Sequence, residues 1–87
     1  MASCTIYPTS VTRTVNGERV TTIEYGARAT VYSTEREAID LARHNGLFPV
    51  RQWTWVRFGM TDEQARMLES ALAAAGWEIE WRVGMPA

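Results

Sequence analysis

Lysine is absent from this chain; all nine cationic side chains are Arg. Arg makes planar, bidentate contacts and stacks on aromatic rings, and Lys does neither well. A single Cys excludes an internal disulfide and any multi-cysteine zinc site. The formal charge of −1 excludes a global basic field for holding nucleic acid. No apolar run reaches the roughly 18 residues of a membrane helix, and the opening Met-Ala-Ser-Cys-Thr-Ile-Tyr-Pro has no basic region of the signal-peptide kind. Those absences set the expectation of a cytoplasmic protein with Cys4 reduced. No Gly-rich phosphate loop, His-Glu-x-x-His or Gly-x-Ser-x-Gly occurs.

At 87 residues the chain reads as a single domain over 1–87. Its 46% hydrophobic and 22% charged content is that of a folded domain, not a disordered one. A domain this size buries only roughly 60–65% of its unfolded surface, so its core is thin. The charge is unevenly spread. Arg43, Arg51 and Arg57 lie in an acid-free stretch between Asp40 and Asp62, and five acids crowd from Asp62 to Glu80.

The strongest local signal is Asn16-Gly17 between two β-branched runs. A type I′ turn needs positive φ at both central residues, which Asn-Gly supplies at little cost. The turn sets a hairpin over 10–25 with Val15 opposite Glu18, Arg13 opposite Val20, Thr12 opposite Thr21 and Val11 opposite Thr22. Ile6, Ile23 and Tyr25 anchor its base in the core, and the Thr-rich tip stands in water. Gly26 is read as a break before a third strand, Ala27 to Tyr32. Thr34-Glu35-Arg36-Glu37 spells a capping box for a helix from Glu35 to His44, ended by Asn45-Gly46. Arg51 to Phe58 reads as one strand. Thr61-Asp62-Glu63-Gln64 caps a second helix, with Ala65, Leu68, Leu72 and Ala75 on its apolar side and Gly76 at its end. Trp77, Ile79, Trp81 and Val83 alternate with Glu78, Glu80 and Arg82, a half-buried strand facing Leu68 and Leu72. The fold expected is α+β: an N-terminal hairpin followed by β-α-β-α-β, with a mixed sheet of four or five strands and two helices on one face.

Few residues suggest chemistry. Cys4 with Asp40 and His44 holds the ingredients of a thiol–imidazole–carboxylate set, but Cys4 also reads as a small core residue and His44 as a helix C-terminal cation. Glu78 and Glu80 read as a solvated face. No catalytic set, metal or cofactor is expected. Strand period puts Arg51, Trp53, Trp55 and Arg57 on one face, and Trp and Arg are the residues most enriched in binding hot spots. That stripe is the primary candidate surface. Its alternatives are a core position for the rings with snorkelling Arg stems, or a platform for single-stranded nucleic acid. The hairpin tip, with Arg13, Asn16, Gly17 and Arg19, is the second candidate. An open aromatic face favours self-association, most simply a C2 homodimer.

One small uninterrupted domain, a hairpin ending at Asn16-Gly17, two short helices beginning at Thr34 and Thr61, and no catalytic set: this layout resembles small phage-encoded inhibitors of bacterial defence, the anti-CRISPR proteins among them. The resemblance implies a non-catalytic inhibitor. Its partner would be a larger protein or nucleoprotein complex of the bacterial host, met in the host cytoplasm. Many such inhibitors are strongly acidic DNA mimics, and this chain, at −1, departs from them.

Overall fold

A computed structural model describes residues 1–82. The elements are β1 (Ser3–Val15), β2 (Glu18–Thr30), α1 (Arg36–His44), β3 (Phe48–Arg51), β4 (Thr54–Met60), α2 (Asp62–Ala74) and β5 (Glu78–Trp81). They form an α+β domain with one mixed five-stranded sheet in the order β3-β4-β2-β1-β5. Asn16 and Gly17 take φ of 51° and 79°, as a type I′ turn requires, and all four cross-strand pairs counted from that turn are present.

The connection β2–α1–β3 runs to one edge of the sheet and β4–α2–β5 to the other, while β2 and β4 are antiparallel. Crossovers of the usual right hand, run in opposite directions from antiparallel strands, deposit both helices on the same face. The core forms there. Cys4 and Ile6 of β1, Ala27 and Ala29 of β2 and Trp55 of β4 meet Ala42 of α1 and Ala65, Leu68 and Leu72 of α2. In β5, Ile79 and Trp81 pack on this core while Glu78 and Glu80 stay exposed. Val83 lies outside the described residues.

Five sequence expectations need correction. Gly26 does not break the chain, and β2 runs through it to Thr30. The Tyr7 ring occupies the space a Cβ at position 26 would fill, 2.6 Å from its Cζ. Arg51–Phe58 is not one strand, because Gln52 and Trp53 turn between β3 and β4. Thr34 caps nothing: the Glu35 amide donates to the Tyr32 carbonyl at 2.9 Å, which places Thr34 inside a turn one residue too early and leaves Glu35 as the N-cap. Ile23 is 53% exposed, since the helices end short of it. Ala75 is an exposed C-cap rather than part of the buried side of α2.

The Thr61 box does form. Thr61 Oγ1 accepts from the Gln64 amide at 3.1 Å, and Gln64 Oε1 accepts from the Thr61 amide at 3.0 Å. Both helices end in the same motif. Gly46 and Leu47 donate to Arg43 and Ala42, and Gly76 and Trp77 donate to Ala73 and Leu72. These are the paired bonds of a Schellman ending, and each is followed by a buried apolar residue, Leu47 or Trp77. Thr61→Ala should therefore cost about 1 kcal/mol in urea unfolding and Thr34→Ala almost nothing. Equal costs would place a working cap at Thr34.

Candidate binding surface

The four residues of the expected stripe are separated by the fold. Trp55 points to the helices and is 6% exposed, with the Arg43 guanidinium 5.6 Å above its ring. Its cross-strand partner in β2 is Ala29, and Ala27 and Cys4 line the same face. These small side chains leave a volume that the indole fills. Arg57 follows the same direction. Its Nη1 donates to the Asn45 carbonyl at 2.9 Å, and its stem packs against Gly46 at the end of α1. Arg51 is exposed on edge strand β3. Trp53 sits in the turn, 44% exposed, with its ring edge-on to Tyr32 at 5.3 Å. No single face carries Arg51, Trp53, Trp55 and Arg57. The β3–β4 turn interrupts the period, and within β4 Trp55 and Arg57 face the helices.

Trp53 adopts φ of 65°, a left-handed conformation that costs a bulky residue roughly 1–2 kcal/mol. Glycine would fit this turn more easily. The strain is held by the sheet end, where the Trp53 carbonyl accepts the Val31 amide at 2.9 Å.

With Trp55 on the helix side, Val56 and Phe58 of β4 fall on the face opposite the helices. Phe58 is 61% exposed and Phe48, from β3, 48%. Their rings meet edge to face at 6.2 Å beside Val56, which is buried yet separate from the helix-side core. Arg28 of β2 lies directly opposite Val56. Beside Phe58, β4 bulges at Gly59 (φ 70°), and a groove of about 110 Å³ opens between Phe58, Gly59, Thr9, Val11, Glu24, Tyr25 and Gly26. Sequence reasoning missed this patch. The signal for it was the run of small residues on the helix face of β2, which gives Trp55 room on that side.

Beyond this patch, among the described residues, β1 and β2 continue alone. The last pairs with other strands are Ile6 with Trp81 and Tyr25 with Met60, so Thr9 to Glu24 form a two-stranded ribbon. The ribbon lengthens a molecule of 48 × 22 × 21 Å. Asn16 and Gly17 form its tip, and Arg19 is exposed near it. Arg13 donates to the Glu24 carboxylate through both terminal guanidinium nitrogens, Nη1 and Nη2. The hydrogen bond and charge of Arg13 hold the Glu24 carboxyl below its ordinary range. The pairing therefore contributes above that range and fades as pH falls through the lowered value.

The residues considered for catalysis do not meet. Cys4 is buried in the sheet, and desolvation pushes its thiol up to about 11, away from the reactive thiolate. His44 Nδ1 lies 2.8 Å from the backbone carbonyl of Asp40, not its carboxylate. Among the described residues no three His, Cys, Asp or Glu gather as metal ligands would, and no helix is long and apolar enough to cross a membrane. Comparison with known protein families, characterised proteins and solved structures returns no match.

Proposed function

We propose that this chain is a non-catalytic protein-binding domain that acts by covering a surface of a larger partner. That is how the small phage-encoded inhibitors it resembles in layout generally work. The observation that carries the reading is the aromatic pair Phe48 and Phe58, left bare on the sheet face away from both helices. A small domain with a thin core gains most by burying large rings, and leaving two of them in water marks a contact surface. Arg28, and Glu24 at the adjacent groove, supply charge at the rim. The nucleic-acid alternative rested on a continuous Arg–Trp face, which β4 does not present.

The test is affinity capture from a bacterial lysate with the immobilised chain, followed by identification of what is retained. Phe58→Asp should keep its melting curve and lose the captured protein, because truncation at a hot spot costs about 2 kcal/mol or more, roughly 30-fold in Kd. Capture undiminished by Phe58→Asp would move the contact away from this face. Retention of nucleic acid alone, released steeply as salt rises, would replace protein binding by phosphate binding.

A further inference from the structure

We infer that the free edge of β1 along the ribbon, Thr9–Val15, pairs antiparallel with the same edge of a second copy of this chain. The two-residue turn makes Val15 and Glu18 a hydrogen-bonded pair, so such pairs fall at odd positions of β1. The N–H and C=O groups of Ser10, Thr12 and Thr14 therefore point away from β2. The same parity shows at the root, where the Ile6 carbonyl accepts the Arg82 amide at 2.8 Å. Past Ile6 the edge has no partner strand among the described residues. Pro8, which has no N–H to present, stands at the start of this free stretch.

An open ladder of roughly 20 Å is a template for another strand unless charge, proline or a bulge blunts it. From Thr9 to Val15 the edge holds no proline, glycine or bulge, and its one charge, Arg13, is engaged by Glu24. A two-stranded ribbon is also marginal in water by itself. A second copy would supply the missing strand.

Symmetry selects this edge over its neighbour. A two-fold axis at Thr12 sets Thr12 beside its copy and Ser10 opposite Thr14, satisfying all three outward N–H and C=O groups with about six hydrogen bonds. Val11 then faces Arg13 and Thr9 faces Val15, with no like charges opposed. The Thr12 hydroxyl already meets that of Thr21 at 2.9 Å, so the copies would extend a threonine ladder across four strands. The corresponding axis at Thr21 of β2 would set Glu18 against Glu24. Antiparallel pairing places the second body past the Asn16-Gly17 tip, clear of the first. The net charge of −1 opposes nothing.

Sedimentation equilibrium at about 100 μM, well above a micromolar Kd, tests the pairing. The unaltered chain should show the mass of two copies. Thr12→Pro removes an outward N–H without touching the bonds to β2, and should give the mass of one copy. Thr21→Pro makes the same change on the other edge and should leave two. Amide exchange in the unaltered chain gives a second measurement that does not depend on any variant folding. Ser10, Thr12 and Thr14 should be protected at high concentration and lose protection on dilution, while Arg19, Thr21 and Ile23 exchange freely throughout. A one-copy mass for the unaltered chain overturns the proposal. So does a dimer lost with Thr21→Pro and kept with Thr12→Pro, or concentration-dependent protection on β2 in place of β1.

Discussion

Trp55→Ala should lower stability by about 3–5 kcal/mol, and Trp53→Ala by about 1 kcal/mol or less. The two residues are two positions apart, on the same face by strand period, and their surroundings differ completely. Trp55 fills the space over Ala29 and Ala27 and carries Arg43 on its ring. Removing it leaves a cavity that the rigid sheet below cannot close. Total stability for a chain of this length is roughly 4–13 kcal/mol, so the loss takes a large share of the margin. Trp53 is 44% exposed and loses its edge contact with Tyr32 from a half-open position that water can refill. Trp53→Gly adds relief of the left-handed strain, which offsets that contact, so its melting temperature should stay near that of the unaltered chain. Urea titrations of the three variants, compared at unchanged slope, separate the cases. Equal losses for Trp53→Ala and Trp55→Ala would mean that both rings are core and that the turn at Gln52-Trp53 is absent.

That contrast shows where the sequence was legible. The hairpin register was readable because Asn16-Gly17 fixes the phase of every pair counted from it. The start of α2 was readable because the Thr61 hydroxyl and the Gln64 side chain close on each other within one turn of chain. The alternation of Ile79 and Trp81 with Glu78 and Glu80 was readable because β5 is an edge strand with one wet face. The β3–β4 turn was not readable, since Gln52-Trp53 carries no turn chemistry and its conformation is imposed by the sheet. The facing of β4 stayed open between core and surface for a related reason. Period 2 gives two faces and never says which is inward. That choice depends on the volume left by residues of β2, a strand paired to β4 across a long stretch of chain. Gly26 shows the reverse error. A glycine in a strand can mark a close approach rather than an end, and here the approaching group is the Tyr7 ring.

Leu72→Ala should cost about 2–5 kcal/mol, and Met67→Ala, on the same helix, less than about 0.5 kcal/mol. Leu72 is 0% exposed and Met67 66%. Alanine at 72 retains the backbone carbonyl that accepts the Ala75 and Trp77 amides, so the helix ending survives and the measured loss belongs to the side chain. The expected size follows from how little else covers the sheet. α1 buries only Ala42 fully, while α2 buries Ala65, Leu68 and Leu72 and packs on β2, β4 and β5. A cavity under α2 therefore weakens the main cover of the core and loosens the docking of β5 beside β1. The ribbon should not outlast the body, because two strands alone are marginal in water. Circular dichroism of Leu72→Ala at a concentration below self-association should then show one transition at lower temperature, with strand and helix signals lost together. A Leu72→Ala variant no weaker than Met67→Ala would show that α2 does not face the sheet through Leu72. A strand signal persisting after the helices melt would show that the ribbon holds itself, and would remove instability of the ribbon as a reason for it to seek a second copy.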